Sequence, residues 1–364
     1  MANNQPSGAL SSIKVLEIGR VIAAPWAGQT LGDLGADVIK VEQPGTGDMA
    51  RTYGLARIID DQGKPTREST TYMCANRNKR SITLDISSPE GSDIVRKLAA
   101  DCDVFIENFV GDTMERYGLD YATLSKINPR LVYCSITGFG HDGPASDRPG
   151  MDPIFQAMSG LMAVTGNPDS EPGGGPMLTA PTIIDAMTGM NATSAILAAL
   201  FYRATVSGRG QYINMTLLDT AFASQCNLVQ GYLVSKQQPP RNGTRGPTGG
   251  GSGAYRCADG DIYIAIASDK MFNALCAILG TPELAEDPRF SNHANRGRHR
   301  DFLLSVFKPL IAEWKRDDLL LECTKADILA SPVNGYEAAF ADPQVMHRGI
   351  KVTVDHPLSP SGMV

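Results

Sequence analysis

Apolar segments of strand length alternate with helix-like segments in the first part of the chain, and this alternation constrains the fold more than any other feature. Helical patterns occupy 27–34, 88–100 and a segment from Tyr121, and the second begins at the N-cap Ser88. Strands that alternate with helices indicate βαβ units. The sequence therefore predicts an α/β fold with a mainly parallel sheet, built from strands at 13–18, 37–42, 80–86, 103–107 and 131–137.

The rest of the chain is less regular. Residues 43–76 show little periodicity, so we expect mostly loop with short helical turns, and loops of this length usually bind something or are disordered. The segment 237–253 (QQPPRNGTRGPTGGGSG) is the strongest shift in composition and a candidate hinge. Beyond it the pattern predicts a smaller α+β domain. The elements expected after residue 150 are helices at 153–164 and 181–204, a strand at 212–217, a strand near Ile262, helices near Met271, Asp301 and Asp317, and a strand at 350–354.

Length, charge and cysteine content limit the classes of protein. A chain of 364 residues predicts two domains, and its net charge of −6 argues against a general nucleic-acid binder. No apolar run is long enough for a membrane span, and the N-terminus has no secretory pattern. The seven cysteines form no CxxC pair and the five histidines show no ligand spacing, so we expect reduced thiols, a cytoplasmic location and no metal site.

Two glycine motifs resemble the dinucleotide fingerprint only in part. The GFGHDG stretch at 138–143 is followed by Pro144 and Pro149, which disfavour the helix that must receive the pyrophosphate. The GTGDMA stretch at 45–50 is preceded by Pro44. A simple glycine turn is favoured for both, and no GxxxxGK[ST] loop occurs.

A basic cluster at 76–80 (NRNKR) lies where strands are expected to end, and Lys40 and Arg116 add charge in comparable places. Such a cluster is either a solvated edge or a site for a phosphorylated ligand at the carboxyl edge of the sheet. Asn108 and Phe109 end a buried strand in the same kind of place, and they have the chemistry to bond and stack an adenine ring.

Asp185 is an acidic residue at the front of an apolar helix, within APTIIDAMTGM. Burial of an unpartnered carboxylate is unfavourable, although a helix N-terminus favours its charged form. The residue is either a structural aspartate bonded to a neighbouring loop or a nucleophile that attacks an activated acyl group. The pattern alone leaves both alternatives open.

Several motifs together resemble the class III CoA-transferase family (CaiB/BaiF type), which also includes α-methylacyl-CoA racemases. The resemblance covers nearly the whole chain and follows a fixed order of motifs. These are IKVLEIGRVIAAPWAGQTLGDLGADVIKVE at 13–42, GTGDMAR at 45–51, NKRSITLD at 78–85, DVFIENF at 103–109, GFGHDGP at 138–144, TGM at 188–190, SGRGQ at 207–211 and DPRF at 287–290.

The resemblance implies a Rossmann-like large domain, residues 1–225 plus 331–364, with an inserted smaller α+β domain, residues 226–330. It also implies an interlocked ring homodimer that binds an acyl-CoA and a carboxylic acid and has no tightly bound cofactor. Family members usually continue past a pair such as His356-Pro357, so we expect either a short last segment or further residues beyond Val364. The family's CoA contacts fall here on Leu84, Asn108, Phe109 and Arg116, and more loosely on Gln43, Ser87 and Thr137.

The resemblance also implies a covalent mechanism in which Asp185 forms an acyl anhydride and then a CoA thioester. It places substrate loops at Gly249, Gly250 and Gly251 and at the GFG loop with His141. Ile22 and Gln43 depart from the residues of formyl-CoA transferase, glutamine and arginine, and leave the details of CoA recognition open.

Two other activities are compatible with the family. A racemase would carry Gly-His-Asp where this chain has Gly150-Met-Asp152, so the missing base disfavours racemisation. A catalytically silent partner subunit is disfavoured because Asp185 is retained.

Overall fold

A parallel sheet forms the centre of the first compact unit. The computed structural model describes residues 8–246 and 250–363, and for residues 360–363 it describes the backbone only. The sheet has the order β5-β2-β1-β6-β7-β8, and each neighbouring pair is parallel, so the predicted parallel sheet is confirmed. The strands of this unit are β1 (Lys14–Glu17), β2 (Asp37–Glu42), β3 (Arg57–Ile59), β4 (Pro65–Ser69), β5 (Lys79–Thr83), β6 (Val104–Glu107), β7 (Val132–Thr137) and β8 (Tyr212–Thr216).

Helices cover both faces of this sheet because its buried strands alternate two sets of apolar side chains. Val104 and Val132 pack in a cluster with the first and eighth helices, whereas Phe105 and Tyr133 pack in a second cluster on the opposite face. The helices in this part of the chain are α1 (Ala23–Asp33), α2 (Thr70–Met73), α3 (Pro89–Ala100), α4 (Thr113–Arg116), α5 (Tyr121–Ile127), α6 (Asp152–Met158), α7 (Leu161–Val164), α8 (Ile183–Tyr202), α9 (Leu217–Ala223) and α10 (Cys226–Ser235).

The order of the strands reverses between β1 and β6. From β1 the chain runs to β2 and β5 on one side, and then crosses to β6, β7 and β8 on the other. In open α/β sheets such a reversal leaves a crevice at the carboxyl ends of the strands, where ligands bind. The loops that follow β1, β2, β5 and β6 therefore define the first place to look for a site.

Three sequence expectations were wrong in detail. The 43–76 segment contains the β3–β4 hairpin, which strand patterning missed because β4 is PTRES, a polar sequence. The helix expected at 153–164 is divided into α6 and α7 around Gly160, which has a φ of +86°. No strand is formed at 350–353; a short pair, β12 (Val354–His356) and β13 (Ser359–Met363), follows instead.

The second compact unit has its own core. It comprises Val164–Pro176 and Pro240–Val354, whereas the first unit comprises the residues up to Ala163, Met177–Pro239 and Asp355–Gly362. Apolar residues such as Phe272, Phe307 and Leu319 are buried in the second unit. Its elements are the antiparallel strands β9 (Gly253–Arg256), β10 (Asp261–Ala265) and β11 (Leu329–Pro332), and the helices α11 (Asp269–Ile278), α12 (Glu283–Glu286), α13 (His293–Arg298), α14 (Arg300–Ala312), α15 (Arg316–Lys325), α16 (Tyr336–Ala341) and α17 (Pro343–His347).

These bounds differ from the predicted domain limits of 226 and 331. Helix α10 contacts α9 and belongs to the first unit, so the boundary between the two units falls inside the 237–253 segment. Residues 331–354 cluster with the second unit. That the two units are separately folding domains stays a prediction.

One helical stretch, Ile183–Ser207, is long and apolar enough to span a membrane by length and composition. Its buried residues belong to the core that packs on the parallel sheet, and α8 makes extensive contact with α1. Core packing therefore accounts for the apolar character of its buried face.

Candidate active site

Asp185 lies in the first turn of α8, and a different carboxylate caps that helix. Thr182 makes no side-chain cap. Instead the buried side chain of Asp152, at the start of α6, accepts hydrogen bonds from the backbone N–H groups of Ile184 (2.7 Å) and Asp185 (3.0 Å). The Gln156 amide donates to the other Asp152 oxygen at 2.5 Å. Asp152 therefore takes the position in which a helix N-terminus stabilises negative charge.

The Asp185 carboxylate takes no part in this helix cap. Its side chain is half-buried and makes no hydrogen bond or ion pair within the described parts of the chain. Burial raises the pKa of Asp185 to about 7, and the negative charge of Asp152 adds to the effect. The structural alternative required a bond to a neighbouring loop, and the described residues supply none. The arrangement instead offers a poorly solvated carboxylate with free oxygens.

The glycine of the TGM motif sets the spacing between α8 and α1. A Cβ at Gly189 would lie 2.7 Å from the Ala23 carbonyl oxygen and 2.8 Å from Cβ of Trp26. Only glycine allows the two helices to approach this closely. Gly189 follows Asp185 by four residues, which is about one helical turn. The close contact therefore holds α8 against the start of α1 one turn after the carboxylate.

A cavity of about 240 Å³ opens at the carboxyl ends of β1, β2 and β5. Four of the predicted CoA contacts line it: Gln43, Leu84, Ser87 and Phe109. The remaining walls are formed by residues that the sequence reasoning did not select, among them Ile18, Gly19, Arg20, Asp48, Asp85 and Tyr117. The cavity thus occupies the crevice that the strand order predicts.

The other predicted CoA contacts do not line this cavity. Both groups of the Asn108 amide are used by the backbone of Arg20, which donates from its N–H and accepts at its C=O, each at 2.9 Å. Arg116 is exposed and pairs with Asp112 at 3.1 Å. Thr137 is buried, and its hydroxyl accepts from the Gly140 N–H at 2.8 Å. Ile22 is buried at the start of α1.

The charges of the basic cluster are already paired with carboxylates, which favours the solvated-edge alternative over a phosphate site. Lys40 is fully buried between Glu17 and Asp48, with its Nζ 2.9 Å from an oxygen of each. Lys79 is also buried and lies 2.7 Å from Glu17. Arg77 and Arg80 pair with Asp33 and Asp37 on the surface. The solvated-edge alternative holds for the two arginines, and the two lysines are structural.

The predicted substrate-loop residues are placed as follows. His141 is exposed, and its Nε2 lies 2.7 Å from the hydroxyl of Ser135. His141 lines a second cavity, of about 300 Å³, that Glu107 and Tyr212 also line. Gly250 and Gly251 have φ values of +75° and +88° in the second unit, and Gly251 lies against Phe307. Gly249 lies outside the described residues.

Sequence reasoning missed Asp152, Asp48 and Val21 as structural determinants of the site. Asp152 was considered only as part of a motif that lacks a histidine, and Asp48 only as part of a glycine turn. Val21 has a φ of +67°, which is a rare backbone conformation for a β-branched residue. Nothing in the residue type signals this conformation; the preceding Gly19 and the following Pro25 indicate only a turn.

Within the described residues no group of three or more His, Cys, Asp or Glu side chains could hold a metal ion.

The comparisons with known proteins agree with one another. The model of CoA-transferase family III matches residues 10–364. The chain is 42% identical to the succinate–glutarate CoA-transferase of Agrobacterium fabrum, over 98% of this chain and 87% of that protein. It is 36% identical to the human succinyl-CoA:glutarate CoA-transferase, over 96% of this chain and 77% of that protein.

A crystal structure of a CAIB/BAIF family protein from Brucella suis has a TM-score of 0.85 to this chain, at 42% identity, and covers 96% of this chain and 90% of its own. The expected family is therefore confirmed on sequence and on fold. This chain belongs to CoA-transferase family III and is an enzyme of that family.

Proposed function

We propose that the protein moves CoA from an acyl-CoA donor to a carboxylic acid acceptor, with Asp185 as the covalent nucleophile. The observation that carries this proposal is the half-buried Asp185 carboxylate, which has no hydrogen-bond partner within the described chain while Asp152 caps its helix. A carboxylate in this state is available to attack, and little solvation has to be removed before it does.

The proposed reaction is balanced without any proton transfer. An Asp185 oxygen attacks the carbonyl of the donor thioester, the C–S bond breaks, and CoA leaves as a thiolate from an aspartyl–acyl anhydride. The thiolate then attacks the aspartyl carbonyl, which releases the donor acid and forms an aspartyl-CoA thioester. The acceptor carboxylate attacks this thioester and expels the thiolate, and the thiolate finally attacks the acceptor carbonyl, which restores the Asp185 carboxylate.

The raised pKa of Asp185 supports this role in two ways. A carboxylate with a pKa of about 7 is a stronger nucleophile than an ordinary aspartate, yet it remains substantially ionised near neutral pH. Since only the ionised form attacks, the rate of acyl transfer is expected to rise with pH until Asp185 is deprotonated.

The cavity beside β1, β2 and β5 is the proposed site for part of the CoA moiety. Gln43, Leu84, Ser87 and Phe109 would contact it, and the half-buried Phe109 ring would stack on the adenine. The contacts predicted for Arg116 and Thr137 stay predictions, as do the substrate role of His141 and the closing of the 249–251 loop over the intermediate.

Small dicarboxylic acids are the proposed substrate class. The bacterial relative at 42% identity is named for succinate and glutarate, and the human relative at 36% for succinyl-CoA and glutarate. The interlocked homodimer and the cytoplasmic location also belong to this proposal, and neither changes the role given to Asp185.

The direct test is CoA transfer from succinyl-CoA to glutarate with purified wild type, Asp185→Asn and Asp185→Ala. We expect transfer by the wild type and loss of activity of about 1,000-fold or more in both variants. Asp219→Asn is the matched control, because Asp219 is exposed in the first turn of α9. Wild-type activity in Asp185→Ala would refute the proposal.

A second arm separates transferase from racemase. The enzyme is incubated with an α-methylacyl-CoA in deuterated water, and exchange of the α-proton is followed by mass spectrometry. We expect no exchange, because Met151 stands where a racemase has its histidine base. Rapid exchange would favour racemisation instead.

A further inference from the structure

The cavity that is proposed to receive CoA contains one conspicuous cation, Arg20. Among the described residues that line it, no other lysine or arginine is present. Two of its acidic residues are already paired, Glu42 with Arg51 and Asp48 with Lys40, both at 2.9 Å. The local charge available to a ligand is therefore carried by Arg20 and by the exposed Asp85.

The guanidinium of Arg20 is oriented but not neutralised. It lies over the ring of Phe109, with 4.4 Å between the guanidinium carbon and the ring centroid. It forms no ion pair with any carboxylate in the described chain, whereas Arg51, Arg77 and Arg80 all do. Stacking on an aromatic face leaves the N–H groups at the edge of the guanidinium free to donate.

The turn that carries Arg20 is held from two sides. Asn108 clamps both backbone groups of Arg20, as described above. The Asp48 carboxylate accepts from the N–H of Val21 at 3.1 Å, and the buried ammonium of Lys40 donates to the Gly19 carbonyl at 2.7 Å. A β-branched residue stays in the left-handed region only where its surroundings enforce that conformation. The turn is thus preformed before any ligand binds.

We propose that Arg20 binds a phosphate group of the acyl-CoA, and that Asn108 is the positioning residue that holds Arg20 for this contact. The inference rests on the proposed function. It gives Asn108 an indirect role in place of the direct CoA contact expected from the resemblance. It also supplies a cation in a cavity that Gln43, an uncharged residue, lines. The fork of N–H donors on arginine matches phosphate oxygens in pairs.

The test measures binding by isothermal titration calorimetry with three ligands: CoA, 3′-dephospho-CoA and pantetheine, which lacks all the phosphates. The variants are Arg20→Gln, Arg20→Lys and Asn108→Ala. Arg130→Gln is the matched control, because Arg130 is exposed just before β7, at the amino ends of the strands, whereas the cavity lies at their carboxyl ends.

We expect Arg20→Gln to weaken CoA binding by about tenfold to a hundredfold and to leave pantetheine binding unchanged. If Arg20 contacts the 3′-phosphate, dephospho-CoA binds wild type and variant equally; if it contacts the diphosphate, dephospho-CoA is weakened as much as CoA. Arg20→Lys, which retains the charge but not the fork, is expected to be intermediate. Asn108→Ala alone should weaken CoA binding. Added to Arg20→Gln in a double variant, it should have little further effect, because both substitutions remove the same contact.

Two outcomes would overturn the inference: unchanged CoA binding in Arg20→Gln, or an equal loss for all three ligands, which would indicate a disturbed turn. The proposed function fails separately, through an absence of transfer from succinyl-CoA to glutarate by the wild type while CoA still binds.

Discussion

Replacing Asp185 by asparagine should stabilise the protein at alkaline pH while abolishing its activity. Burial raises the pKa of this carboxyl from 3.8 to about 7 in the folded state. The folded protein therefore binds the proton more tightly than the unfolded chain does. This contribution to stability is complete below about pH 4 and is lost as the pH rises through 7. Asparagine has nearly the same shape and carries no charge at any pH.

The size of the effect follows from the two pKa values. A change from 3.8 to about 7 corresponds to an upper limit of about 4 kcal/mol. Because the side chain is only half-buried, water screens part of this energy, and we expect about 1–2 kcal/mol at pH 8. The gain should shrink steadily between pH 7 and pH 5, as the wild-type carboxyl becomes protonated in the folded state.

The assay is urea unfolding of wild type and Asp185→Asn at pH 5, 6, 7 and 8, at one fixed protein concentration. The control is Asp61→Asn, an exposed carboxylate at the β3–β4 turn, which should change stability little at any of these pH values. A variant that is no more stable than wild type at pH 8, or that gains equally at pH 5 and pH 8, would refute the reasoning about burial.

Three further predictions concern the surroundings of Asp185 and the buried ion pairs of Lys40. Gly189→Ala should lower the free energy of unfolding by about 1–3 kcal/mol and reduce kcat, because the new methyl would lie 2.7 Å from the Ala23 carbonyl oxygen. The control is Gly231→Ala in α10, where a Cβ meets nothing within 4 Å, and it should raise the free energy of unfolding by about 0.5–1 kcal/mol. Equal effects of the two substitutions would contradict the packing argument. Asp152→Asn should move the rise of kcat with pH to lower pH, because a negative charge that raises the pKa of Asp185 is removed, and an unmoved profile would exclude that coupling. Lys40→Met should destabilise the protein by about 3–5 kcal/mol in urea unfolding, since it leaves Asp48 buried without its ion-pair partner; a neutral result would show that water reaches this cluster.

Periodicity was a reliable guide to the sheet but not to every strand. Strands β1, β2, β6 and β7 were predictable because their apolar side chains alternate between two buried faces, as Val104 and Phe105 do. The β3–β4 hairpin was not, because polar strands carry no such pattern. Its turn does contain a local signal, since Asp60 accepts from the N–H groups of Gln62 and Lys64 ahead of β4.

The site was predictable as a set of candidate residues but not as an arrangement. Asp185 stands out in sequence as a charge in an apolar helix. That Asp152 takes over the helix cap depends on the approach of α6, which no local pattern encodes. For the lysines, the sequence suggested a ligand site that the fold does not form. Lys40 and Lys79 resemble ligand residues in sequence, yet Glu17 lies between them in the fold and pairs with both.

The central claim, that Asp185 carries the acyl group and then CoA, is tested most directly by trapping the intermediate. The wild type is incubated with succinyl-CoA and hydroxylamine, digested, and mapped by mass spectrometry, with Asp219 in the same digest as an internal reference. The account predicts a hydroxamate at Asp185 that requires the donor thioester, and none at Asp219. Two results would contradict it. In the first, hydroxylamine inactivates the enzyme in the presence of the donor but Asp185 is unmodified; in the second, another carboxylate is modified instead.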